Sequence, residues 1–195
     1  MSTYVDKIAL PFKMIEGEGM NTKEKLLRQG RRMMWRHGYS NVSLRQIAAA
    51  AGADVAMVSR HFGGKQGLFE ATLADAFDAG KMDFSSPSEL IEGLVHLYET
   101  APRDADDPSI IQMLLMNSGD ADVGHLVREF QQENFQKKLE SIIGDKSSAA
   151  LFIAALMGFS VAEKTLKLDG IAKVGTPAYA AQLRHMLSAA LGYWD

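Results

Sequence analysis

Residues 43–65 read SLRQIAAAAGADVAMVSRHFGGK, and their small, apolar and basic members are spaced as in two short helices meeting at a tight turn. Gly52 stands where such a turn needs a residue that tolerates φ > 0. Four residues upstream, Ala48 is small enough to let a second helix cross closely. Ile47, Ala51, Ala53, Val58 and Phe62 supply the apolar side of the corner. A unit of this kind holds one helix proud of the surface, where it can enter a major groove.

The local signals agree with one another. Ser43 precedes Leu44-Arg45-Gln46-Ile47, so its hydroxyl can cap the helix it starts, with Gln46 at the N3 position of a capping box. A capped N-terminus also favours a nearby phosphate. Asp54 follows the turn and is expected to cap a second short helix over 54–61. On that helix Val58 and Phe62 are four apart and face inward, leaving Val55, Ala56, Ser59 and Arg60 outside. Gly63-Gly64 ends it, and Lys65 opens the next helix, expected over 65–80. A helical hairpin that merely packs is the competing reading, and it does not require so many positions to agree.

The longer stretch NTKEKLLRQGRRMMWRHGYSNVSLRQIAAAAGADVAMVSRHFGGKQGLFEATL resembles the N-terminal domain of the TetR family of bacterial transcriptional regulators. The features that carry the resemblance are an opening helix ending in His37-Gly38-Tyr39, the Ser43-to-Ala51 helix, Ala51-Gly52, and His61-Phe62-Gly63-Gly64-Lys65 before Leu68-Phe69. They cover about residues 21–80. The rest of the chain is similar more loosely, with Leu126 to Phe130 and Leu156 to Leu166 resembling one common C-terminal subtype.

By position, the resemblance implies phosphate contacts from Ser43, Arg45, His61 and Lys65, and groove contacts from Val55, Ala56, Ser59 and Arg60. Two departures stand out. Ser59 occupies a place where family members usually carry an aromatic that touches the DNA backbone. Asp54 and Val55 stand where small polar or basic residues are frequent. Asp54 can accept from a cytosine amino group or act only as a cap, and Val55 can touch a thymine methyl.

Composition bounds the rest. A chain of 195 residues with 47% hydrophobic content has ample material for a packed core in one or two domains. The absence of cysteine excludes a disulfide framework and a zinc–cysteine site, and suits a reducing cytoplasm. No basic region followed by an apolar run marks a secretory signal, and no stretch reads as the ~20 apolar residues of a membrane span. The net charge of −3 hides a segregation. Residues 20–65 hold nine Lys and Arg against Glu24 and Asp54, whereas residues 66–195 hold ten against nineteen Asp and Glu. A basic head on an acidic body orients a protein toward a polyanion.

Three domains are expected: an extension over 1–19, a helix-turn-helix domain over 20–66, and a helical regulatory and dimerisation domain over 67–195. In the extension Ile8, Leu10, Phe12, Met14 and Ile15 alternate with polar groups around Pro11. It either docks on the body through these side chains or precedes a true start at Met20. Helical patterns continue to the end, so the fold class is all-α. Ser86-Pro87-Ser88-Glu89 starts a helix running to about Thr100. The polar loop Pro102 to Asp107 ends it, and Pro108 begins another that stops near Ser118-Gly119. One long amphipathic helix is expected over 120–143, an apolar one over 148–168, and a last one from Thr176-Pro177 to Trp194.

The 148–168 helix is too apolar all round for a surface helix. Paired with the last helix and their symmetry mates, it would form a four-helix interface, the arrangement the resemblance implies. Phe152, Leu156, Gly158, Phe159, Leu183, Leu187 and Leu191 are the candidate interface residues. The alternative is a central core helix of a monomer. Met113, Met116, Phe130 and Phe152, with Asn117 and Asn134 as polar partners, are candidates to line a cavity for a small apolar or amphipathic ligand. A stripe of Met and Phe is equally what an ordinary core looks like.

Catalysis has little support. The five histidines form no metal pair, Gly63-Gly64-Lys65 lacks P-loop spacing, and Asp104, Asp106 and Asp107 lack the glycine and glutamate of a calcium loop. No cofactor, metal or enzymatic role is expected. The sequence therefore reads as a cytoplasmic, homodimeric regulator that binds a double-stranded operator palindrome, a repressor relieved by a small ligand. The rival is an architectural or chromosome-organising DNA-binding protein without an inducer.

Overall fold

Helix-capping chemistry divides the chain into ten α-helices among the described residues, which in this computed structural model are 19–79, 84–101 and 108–192. No strand occurs among them. Residues 1–18 of the expected extension over 1–19, the acidic loop 102–107 and Trp194 lie outside the described residues. The described chain forms two compact units, one of residues 19–79 with 108–131 and one of 84–101 with 132–192.

The first unit holds α1 (Thr22–His37), α2 (Leu44–Ala50), α3 (Ala56–Phe62), α4 (Lys65–Ala79), α6 (Ile110–Asn117) and α7 (Gly124–Gln131). Asn21 and Glu24 form a reciprocal capping box that starts α1. Leu26, Met34, Trp35, Ile47, Val58, Leu68 and Phe69 are fully buried and make its core. The indole N–H of Trp35 donates to Thr72 Oγ1 at 2.9 Å, so the largest core side chain also satisfies its polar atom. Gly30 lets α1 and α4 approach: a Cβ there would lie 2.9 Å from Leu68 Cδ2.

The second unit holds α5 (Pro87–Thr100), α8 (Lys137–Ile143), α9 (Lys146–Ser160) and α10 (Pro177–Leu191). Leu90, Phe152, Tyr179, Leu183 and Leu187 form its core. Tyr98 and Ser160 share a buried hydroxyl–hydroxyl bond of 2.7 Å, and the rings of Tyr98, Phe159 and Tyr179 meet edge to face. Arg184 grips Glu92 with two bonds of 2.6 and 2.8 Å, tying α10 to α5.

Several expected boundaries move, each for a local reason. The helix expected over 120–143 begins at Gly124, because Asp120 Oδ1 accepts from the amides of Asp122 and Val123 and holds 120–123 as a turn. Its middle is a π-helical turn, Gln132–Gln136, before α8. The apolar helix starts at Lys146 on an Asp145 cap and ends in a second π turn, Val161–Thr165, where Leu166 N–H reaches Val161 O. Ser109, not Pro108, caps α6. Together α9 and its π turn run for 20 residues and hold an 18-residue window of mean hydropathy 1.3, long and apolar enough by composition to cross a membrane, a span not expected from the sequence.

Candidate nucleic-acid interface

Ser43 caps α2 as its position predicts. Its hydroxyl accepts the Gln46 N–H at 3.3 Å, and Gln46 Oε1 accepts the Ser43 N–H at 2.8 Å. Gly52 adopts φ +64° at the turn, and Ala53 N–H returns to Ala48 O at 2.9 Å. The second helix starts at Ala56, two residues later than expected, because Met57 and Val58 donate three residues back, to Asp54 O and Val55 O. Val55 takes the N-cap position without a side-chain bond, and Asp54, one residue before it, accepts the Ala56 N–H at 2.7 Å. Gly63, left-handed at φ +76°, ends α3.

This geometry sorts the side chains of α3. Val58 is fully buried and Phe62 half-buried, whereas Val55, 39% exposed, stands with Ala56, Ser59 and Arg60 on the open face. Arg45 and Ser43 are exposed, and His61 is half-buried, edge-on to Phe62. Lys65 leans over the Tyr39 ring, its Nζ 4.0 Å from the centroid. Burial lowers the Lys65 pKa, an effect opposed by Asp120 and Asp122.

The segment between α1 and α2 is held by groups that the sequence pattern does not connect. Asn117 accepts the Tyr39 N–H at 2.7 Å and donates to Met34 O and Met113 O at 3.2 and 3.0 Å. Asp120 accepts from both the amide and the hydroxyl of Ser40, at 3.2 and 2.6 Å. No sequence signal reveals these pairs, which lie about eighty residues apart.

The ligand candidates take separate places. Asn117 is fully buried with both amide N–H groups and its oxygen engaged, so it positions backbone rather than awaiting a ligand. Met113 and Phe130 are buried in the first unit and Met116 is exposed there, while Asn134 and Phe152 belong to the second. Among the interface candidates, Phe152, Phe159, Leu183 and Leu187 are buried in their own unit's core, since they fill the inward stripes of α9 and α10. Leu156 and Leu191 are half-buried and Gly158 is exposed. With Gly158, the open side of α9 carries Ala150, Leu151 and Ala154.

The basic head also loses one member. Arg31 is only 4% exposed, stacked 4.5 Å from the Trp35 ring centroid and paired with Asp75 at 3.5 Å. It is a core cation.

Residues 26–72 match the sequence model of the bacterial regulatory proteins of the tetR family. No curated protein matches the chain. Among solved structures, it is similar to a TetR-family transcriptional regulator from Streptomyces coelicolor, with a TM-score of 0.65, 16% identity, and 87% of this chain and 94% of that one covered. A TetR transcriptional regulator from Chloroflexus aurantiacus aligns with a TM-score of 0.61 and 19% identity, covering 88% and 93% of the two chains. At these identities the likeness is one of fold, and it extends through both helical units. Over residues 26–72 the chain therefore carries a helix-turn-helix domain of the tetR family.

Proposed function

We propose that the protein is a sequence-specific DNA-binding regulator, a repressor that grips a palindromic operator as a homodimer and is relieved by a small apolar or amphipathic ligand. The observation that carries this reading is the open face of α3, with Val55, Ala56, Ser59 and Arg60 outward and Ser43, Arg45, His61 and Lys65 around it. The domains divide as a reading head over 20–66 and a regulatory body over 67–195. In the groove, Val55 meets a thymine methyl and Arg60 a base edge, while the surrounding cations and hydroxyls hold phosphates. A palindrome needs two heads.

The open side of α9 supports a second copy as partner. Only 28% of the apolar window within Lys146–Thr165 is buried in the protomer, and Ala150, Ala154 and Gly158 on its outer side are small enough for close helix contact around Leu151. The exposed Ala181, His185, Ser188 and Ala189 of α10 would join that face. The effector arm of the proposal rests on Met116, exposed on α6 beside Asn117. A ligand that displaces α6 would reach Tyr39 and Met34 through the Asn117 amide. By reciprocity, operator binding would weaken ligand binding by the same factor.

Selection of bound duplex from a random pool tests the reading. The expected product is an inverted repeat with half-site centres about 34–36 Å apart. Genomic occupancy should then show one or a few promoter sites. Many dispersed sites without a common repeat would overturn the regulator in favour of an architectural role.

A further inference from the structure

Beside the helix-turn-helix corner lies an open notch of about 440 Å³, bordered by Gly19 and Met20, by Lys25, Arg28 and Gln29 of α1, and by Ala50, Ala51 and Gly52 at the end of α2. Lys25 and Arg28 both line it, one helical turn apart on α1. Its α2 floor carries no side chain larger than a methyl group, and a Cβ at Gly52 would meet nothing within 4 Å. From the α2 side a bulky anion therefore meets no large side chain. No carboxylate lines the notch. The nearby Glu24 is turned back to its own cap, accepting the Asn21 N–H at 2.9 Å, and Asp54 is turned to Ala56.

From Gly52 the chain takes four Cα steps to Ala56, where α3 begins, so the notch floor is within about 15 Å of the reading helix. A major groove is about 12 Å wide. With α3 in the groove, a basic notch at that distance is close enough to reach the sugar–phosphate wall bordering it.

We propose that Lys25 and Arg28 form a phosphodiester-binding notch, a sequence-independent clamp on the DNA backbone beside the groove that α3 enters. It rests on the helix-turn-helix reading above and adds a contact outside the corner itself. It accounts for a part of the head's positive charge that lies off the α3 face. The chemistry selects a backbone phosphate of duplex DNA, because the notch offers two cations and open space, with Gln29 as its one uncharged polar side chain.

The test uses the full-length protein with Lys25→Ala/Arg28→Ala, and with the charge-preserving swap Lys25→Arg/Arg28→Lys. Affinities are measured on the selected operator and on scrambled duplex across a salt series. The alanine pair should lower the slope of log affinity against log salt by about two units per protomer, equally on both duplexes. The advantage of unmodified protein should shrink about tenfold per protomer between 50 and 200 mM salt, and the swap should restore the slope. Replacing backbone phosphates one at a time by methylphosphonates should reveal a position that weakens unmodified protein but not the alanine pair. An unchanged slope, or no such position, overturns the notch. Arg60→Ala in parallel separates the cases: if it still costs operator discrimination, the helix-turn-helix reading stands while the notch falls.

Discussion

The side-chain oxygen of Asn117, at the last position of α6, accepts the backbone N–H of Tyr39 at 2.7 Å inside the core of the first unit. Tyr39 sits just past α1, on the segment that leads into α2. The same amide group donates to Met34 O, so one side chain sets both the end of α1 and the direction of the chain leaving it. Asn117→Ala leaves the Tyr39 N–H buried without its acceptor, at a cost of about 1–3 kcal/mol. Urea unfolding should show a lower midpoint with an unchanged slope. Asn117→Asp keeps the acceptor but loses both donors and should also be destabilised.

The corner between α3 and α4 depends on Gly67. A Cβ at that position would lie 1.9 Å from Phe62 O, a backbone atom that cannot rotate away. Gly67→Ala should therefore cost about 3 kcal/mol, the upper part of the overpacking range, and displace α3. Gly30→Ala would bring a Cβ within 2.9–3.2 Å of Cδ2, Cγ and Cδ1 of the fully buried Leu68, so repacking outweighs the gain in helix propensity and the change should cost about 1 kcal/mol, less than Gly67→Ala. Thermal melts of the two variants check the order, and equal destabilisation would contradict it.

Capping and turn chemistry make the head legible, because Ser43, Gln46, Gly52 and Gly63 act within three or four residues of themselves. Asn117 with Tyr39 and Asp120 with Ser40 are not legible, since a hydrogen bond across about eighty residues leaves no local pattern. Arg31 misleads for a related reason: a charge count cannot distinguish a solvated cation from one folded against Trp35 and Asp75. In the body, helical periodicity finds α9 and α10 but not which apolar stripe faces inward. Periodicity alone therefore puts Phe152 and Leu187 on an outer face beside Gly158, whereas Gly158 is open and Phe152 and Leu187 are buried.

Acid should loosen the Ser40–Asp120 link. Burial pushes the Asp120 carboxyl up, but the bonds from Ser40, Asp122 and Val123 outweigh it and hold it below its usual range. A depressed carboxylate contributes stability above its unfolded pKa of about 4, and that contribution fades as pH falls through the lower folded value. The group is partly exposed, so the effect is modest, below about 1 kcal/mol. Asp120→Asn should flatten the acid limb of stability measured between about pH 6 and pH 2. A limb of unchanged steepness would remove Asp120 from the acid response.

Gly158 and Leu187 separate assembly from folding. Gly158 faces open space, with nothing within 4 Å of where a Cβ would stand, whereas Leu187 is fully buried. Gly158→Glu should shift sedimentation toward a folded monomer at micromolar protein. Leu187→Ala should cost about 2–5 kcal/mol of protomer stability without loosening association of the molecules that remain folded. A sharply sedimenting monomer in the unmodified protein would remove the two-headed reading altogether.

Lys65 and Arg60 divide the work of the reading head. Lys65 leans on the Tyr39 ring at the start of α4, at a place suited to a phosphate, whereas Arg60 is exposed on the open face of α3. Lys65→Ala should weaken operator and scrambled duplex about evenly, and reduce the salt slope by about one unit per protomer. Arg60→Ala should instead cost about 1–3 kcal/mol of discrimination at each base pair it reads. Binding of each variant to both duplexes across a salt series distinguishes the two roles. If neither substitution changes operator affinity, α3 is not the reading helix and the regulator assignment fails with it.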